Sequence, residues 1–144
     1  MMDKPTPIKT SKQIQLGDQA AFTRAITGDM VAAYADLIGD HNPVHLDDAY
    51  AATTRFGKRI AHGMLVAGLI STVIASELPG AGSVYLGQTL QFKAPVFLGD
   101  TITATVTVRA VRPDKPIVTL ATTCTNQDGK VVIEGEAVVL VQKT

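Results

Sequence analysis

The chain has 144 residues, enough to bury a hydrophobic core without disulfides or a structural metal and too few for a second domain to be expected. Its 13 Lys and Arg balance 13 Asp and Glu, so no overall basic field draws in nucleic acid or an anionic membrane, and an anionic ligand has to be held by local charge. Cys124 is the only cysteine, which excludes an internal disulfide and fits a reducing, cytoplasmic compartment.

From the N-terminus, Met1 to Gln15 is polar, contains Pro5 and Pro7, and lacks the apolar core of a secretory signal. It is expected to lie on the surface of one domain spanning residues 1–144. A short strand is expected around Ala21 to Ile26. Thr27 then suits the cap of a helix whose apolar residues Met30, Val31, Tyr34, Leu37 and Ile38 recur at helical spacing, with Gly39 placed to end it. In Asp40-His41-Asn42-Pro43-Val44-His45, the Asn-Pro pair favours a turn and disfavours helical geometry at Asn42. Asp47 suits the cap of a short helix through Thr53.

After the Phe56-Gly57 turn, Met64 to about Leu78 is apolar nearly all round, which predicts a helix surrounded by protein and too short to span a bilayer. Pro79-Gly80 stops it. Ser83 to Phe92 reads as one strand. In the next strand Ile102, Ala104, Val106, Val108 and Ala110 share one face, while Thr101, Thr103, Thr105 and Thr107 take the other. Ile117 to Asn126 and Val131 to Val141 read as two more strands, joined across Gln127-Asp128-Gly129-Lys130 by a tight hairpin. Helices followed by hairpin-linked strands indicate an α+β domain in which an antiparallel sheet curls around the apolar helix.

Five residues separate Asp40 from His45. In a helix their side chains would stand about 140° apart, and in an extended strand about 16 to 18 Å apart. A bend at Asn42-Pro43 instead lets a carboxylate and an imidazole face one water molecule, an arrangement suited to moving protons on and off carbon. The bland alternative is that both are capping or surface residues. His62-Gly63 precedes the apolar helix, where free backbone N–H groups and the helix dipole can receive an oxyanion; equally, Gly63 can serve only as a tight entry into the helix. Gly63, Ala67, Ser71 and Ile74 follow a helical stripe, open to a ligand or to core packing. Ser71 is the candidate for bonding the carbonyl region and Ile74 for lining an acyl tail. The three histidines and Asp40 also raise a metal site, but Pro43 between His41 and His45 works against the helix such a motif needs, so no metal is expected. Cys124 reads as a small core residue.

The run Tyr34-Ala-Asp-Leu-Ile-Gly-Asp40-His-Asn-Pro-Val-His45, followed by Arg59-Ile-Ala-His62-Gly63-Met64, resembles the MaoC-like, R-specific enoyl-CoA hydratase family. Tyr85-Leu-Gly-Gln and Phe92-Lys-Ala-Pro-Val-Phe-Leu-Gly-Asp100 are similar to its single-domain members. The resemblance implies a hot-dog fold, a homodimer, and an acyl-CoA substrate with coenzyme A as part of that substrate and no separate cofactor. It implies that Asp40 and His45 act as a dyad on one water and that Gly63 takes the oxyanion position. His62, Ser71, Ile74 and Lys93 are then candidates for substrate binding, with Arg55 and Arg59 as further partners for the coenzyme A phosphates. Ile38 departs from the small hydroxyl residue frequent before the Gly-Asp pair. The expected reaction is reversible hydration of trans-2-enoyl-CoA to (R)-3-hydroxyacyl-CoA, in polyhydroxyalkanoate supply or fatty acid metabolism. A dehydratase of carrier-protein thioesters, an acyl-CoA thioesterase and a non-catalytic acyl-binding module are the rival readings.

Overall fold

The computed structural model describes residues 13–142. The expectation for residues 1–15 therefore lies mostly outside the described residues, and its described end departs from it: Ile14 is buried in the core.

Strand β1, Gln19–Ala25, leads to helix α1, Gly28–Ile38. Thr27 caps α1 by accepting a hydrogen bond from the Met30 N–H at 3.2 Å, and Gly39 ends it with φ 81°, a left-handed conformation that favours glycine. Only part of the predicted apolar stripe is used. Val31 and Ala35 are buried, whereas Leu37 is 82% exposed at the far end of the helix.

Asn42 adopts a non-helical conformation before proline, as expected, but Pro43 then opens a short helix, α2, Pro43–Leu46. Proline is tolerated at this first position because the N–H it lacks would have no helical partner. His45 thus sits on a helical turn, and His41 falls before it. Asp47 caps α3, Asp48–Ala52, by accepting from the Tyr50 N–H at 3.1 Å.

Helix α4, Gly63–Ser76, is the centre of the fold. Val66, Leu69, Ile70, Val73 and Ile74 bury themselves against the sheet, while Met64, Gly68, Ser71 and Ala75 form an open stripe. The helix is therefore not surrounded by its own chain.

The segment expected as one strand forms two: β2, Val84–Gln88, and β3, Gln91–Phe92. Between them the Thr89 backbone passes so close to Gly135 that a Cβ there would collide with the Thr89 carbonyl, and Thr89 bonds Glu136 through its N–H at 2.9 Å and its hydroxyl at 3.0 Å. The remaining strands are β4, Thr101–Val111, β5, Ile117–Thr125, and β6, Val131–Leu140. All pairings are antiparallel in the order β1-β4-β5-β6-β2, with β3 also on β6. The alternation read for β4 holds through Ile102, Ala104, Val106 and Val108, which are buried, but not at Ala110, which is exposed because the register shifts between Val108 and Ala110. In the β5–β6 hairpin, Gly129 takes φ 77° and the Asn126 carboxamide accepts from the Asp128 and Lys130 N–H groups, each at 3.0 Å. A curved antiparallel sheet wrapped on one apolar helix is the hot-dog arrangement.

Candidate active site

Three short pieces of chain build the site: the turn after α1, the first residues of α2, and the entry to α4. The turn is held by Asp40, whose Oδ1 accepts from the Asn42 N–H at 3.3 Å, and by Asn42, whose side chain accepts from the Val44 N–H at 3.2 Å. These local bonds turn the chain so that His45 points inward while Asp40 stays exposed.

His45 is 8% exposed, and its Nδ1 lies 2.8 Å from the Ile60 carbonyl oxygen. A carbonyl only accepts, so Nδ1 carries the proton and Nε2 is left with a free lone pair. Burial pushes the His45 imidazolium below its usual pKa, and the neighbouring His62 adds to this; the Ile60 bond and Asp40 act the other way without reversing it. The ring is therefore neutral near neutral pH and able to accept a proton.

His62 is 2% exposed and does not line the cavity, contrary to its expected part in substrate binding. Its Nε2–H donates to the Asp40 carbonyl at 3.1 Å, its ring stacks on His45 with centroids 3.9 Å apart, and Tyr34 meets it edge-on at 4.9 Å. It ties the Asp40 turn to the His45 ring. Its Nδ1 is buried without a hydrogen-bond partner among the described residues.

Asp40, His45 and His62 each offer one atom, and the three atoms lie within 4.8 Å of one another. That donor set suits zinc in type. Two of the ring nitrogens in it are already engaged with backbone carbonyl oxygens, His45 Nδ1 with that of Ile60 and His62 Nε2 with that of Asp40. His41, whose i, i+4 spacing to His45 raised the metal motif, turns outward to Asp36, 3.0 Å away. Asp40 and His45 atoms no more than 4.8 Å apart are close enough to hydrogen-bond one shared water, since each such bond spans about 2.8 Å.

Gly63 opens α4. The residue before it, His62, makes no side-chain cap, and no described group accepts from the Gly63 N–H, which lies at the positive end of the helix. A cavity of about 490 Å³ begins here, its wall including His45, Phe56, Ile60, Gly63, Met64 and Phe92. Asp40 is not part of that wall. Arg55 and Lys93 are the cations on it, and Lys93 also pairs with Glu134 at 3.2 Å. Arg59 is elsewhere, held to Asp48 at 2.8 Å. Ser71 is exposed, Ile74 is buried in the core, and neither lines the cavity. The stripe expected to join Gly63, Ala67, Ser71 and Ile74 thus divides between two faces of α4.

Sequence reasoning missed three contributors. The Ile60 carbonyl orients His45 through the backbone, for which no side-chain signal exists. Phe92 and Phe56 on the cavity wall left only a faint trace, aromatic residues beside cationic ones in polar surroundings.

Comparison with known proteins gives a consistent picture. Residues 10–139 match the family model described as MaoC like domain. The chain is 52% identical over 130 residues to an (R)-specific enoyl-CoA hydratase of Rhodospirillum rubrum, covering 90% of each chain. It is 49% identical over 130 residues to one of Aeromonas caviae, covering 90% of this chain and 97% of that one. A solved structure of an (R)-hydratase from A. caviae involved in PHA biosynthesis superimposes with a TM-score of 0.89 at 49% identity, over 91% of this chain and 99% of the other.

Proposed function

We propose that this chain, which belongs to the MaoC-like family, works as an (R)-specific enoyl-CoA hydratase in which Asp40 and His45 act on one water molecule. The overall reaction is that of a hydro-lyase: water adds across the 2,3 bond of a trans-2-enoyl-CoA to give an (R)-3-hydroxyacyl-CoA, and the reverse step removes it. Coenzyme A enters as part of the substrate.

The observation that carries the residue assignment is the bond from His45 Nδ1–H to the Ile60 carbonyl, which leaves Nε2 unprotonated on a ring grouped with the Asp40 carboxylate. In the proposed step His45 takes a proton from the water as its oxygen attacks C3, and Asp40 orients that water. The dyad returns one proton to C2, so hydrogen and charge balance over the cycle. Charge that builds on the thioester oxygen is received by the Gly63 N–H at the head of α4. Lys93 and Arg55, the cations on the cavity wall, are the proposed partners of the coenzyme A phosphates. His62 positions the dyad from behind. Ser71 and Ile74 have no part in this reading, because one faces outward and the other packs the core.

Replacing Asp40 by Asn or His45 by Gln should lower hydration of crotonyl-CoA by about 10² to 10⁴ while circular dichroism and melting stay those of a folded protein. Full activity in either variant would refute the dyad. Release of free thiol in place of enoyl hydration would instead favour a thioesterase.

A homodimer is part of the proposal, supported by the open stripe on α4 and the exposed edge strand β2. A cytoplasmic location is supported by the lone buried cysteine. Among the described residues no helix is long and apolar enough to cross a membrane. The likeness to the A. caviae protein supports a place in supplying polyhydroxyalkanoate monomers.

A further inference from the structure

Gly63 does not need to be glycine for its backbone, since it is not among the glycines with positive φ. It needs to be glycine for space. A Cβ built on it would stand 2.6 Å from Phe92 Cε1, 2.8 Å from Cδ1 and 3.3 Å from Cζ, so the aromatic ring lies directly against the Gly63 backbone. Both residues line the same cavity. The space on the Cα side of Gly63, where a side chain would stand, is therefore filled by the ring.

The side chain that fills it is free to leave. Phe92 is 54% exposed, so little buried surface holds the ring in place. Its backbone is fixed, paired with Ile133 in β6 and followed by a 2.8 Å bond from the Lys93 N–H to the Val132 carbonyl. Rotation about the side-chain bonds moves the ring away from Gly63 without disturbing the sheet. Such rotations of exposed side chains take picoseconds to nanoseconds, fast compared with turnover.

We infer that Phe92 is the gate and the specificity-determining residue of this site: its ring stands against the Gly63 backbone in the free protein, turns aside to admit the thioester, and then packs back against the C1–C2 segment. The inference rests on the oxyanion reading of Gly63. A linear enoyl chain leaves room for the ring to return. A methyl branch on C2 lies one bond from the carbonyl carbon and meets the returning ring, so 2-methyl-branched enoyl thioesters are discriminated against by the ring's bulk.

The test compares kcat/KM for crotonyl-CoA and its 2-methyl analogue, tiglyl-CoA, in the wild type, Phe92→Leu and Phe92→Ala. The ratio of tiglyl to crotonyl should rise stepwise as the side chain shrinks, reaching about tenfold in Phe92→Ala, the low end of what one methyl group contributes in a tight pocket. Because the readout is a ratio, a general loss of activity does not mimic it, and Phe92→Leu carries the test if the alanine variant folds poorly. An unchanged ratio in a folded variant overturns the gate. A wild-type protein that hydrates neither thioester overturns the hydratase reading instead.

Discussion

His45 shows how much one backbone carbonyl decides. Its proton is placed on Nδ1 by Ile60, its charge is opposed by burial and by the ring of His62, and what remains is a neutral base facing Asp40. The sign of the pH dependence follows. The folded-state pKa lies below the unfolded value of about 6.5, so the base stays competent as pH falls past that value. A profile of kcat/KM for crotonyl-CoA between pH 5 and 8 should hold its plateau to below 6.5 and fall only at lower pH; a midpoint above 6.5 would refute a buried neutral base. Stability runs in the same direction, since the unfolded chain takes up this proton first and folding weakens as pH drops below about 6.5. Cys124 is the contrasting residue. Burial pushes its thiol up to about 12, so it remains a protonated packing group, as its place in an alternating strand suggested.

The elements α1 and α4 carry the site at their ends. Helix α1 has one cap remote from the chemistry and one adjoining it, and the two should respond differently to mutation. Thr27→Ala removes the bond to the Met30 N–H and should cost about 1 kcal/mol, or about 3 °C in melting temperature, with activity retained. Gly39→Ala forces a Cβ into the left-handed conformation at φ 81° immediately before Asp40, and should lower both melting temperature and kcat. Thermal melts with parallel crotonyl-CoA assays distinguish the two, and equal effects on activity would show that the cap at Gly39 does not set the Asp40 turn. Helix α4 combines a buried face that fixes it to the sheet with a free N-terminus that meets the cavity. Its position is thus set by packing and its chemistry by an unsatisfied end.

At the scale of the molecule, β2 is one edge of the sheet and presents Val84 and Leu86, each about half exposed. An apolar edge strand with unpaired N–H and C=O groups is a template for another strand, and a second copy of this chain is the proposed occupant. Sedimentation velocity at micromolar concentration should give a dimer. Leu86→Lys should shift it toward monomer, as charge on an edge discourages strand addition, and a wild-type monomer under those conditions would remove the dimer from the proposal.

Much of this protein was legible in sequence order. Local rules needed only neighbouring residues to place the α1 caps, the Asp47 cap, the β4 alternation and the Asp-Gly hairpin, and the Asp40 to His45 motif pointed to the proposed dyad through its likeness to a family. The strand break at Thr89 was not legible, because Gly135, which makes room for it, lies 46 residues away. Nor was the use of His62: chain order set it beside Gly63 as a ligand contact, while the folded chain turned its ring inward onto Asp40 and His45. The residues themselves determined which groups are able to exchange a proton. Only tertiary structure decided which nitrogen holds it, which histidine serves as support, and that Phe92 stands over Gly63, because each depends on atoms brought together across the chain and not on any local preference.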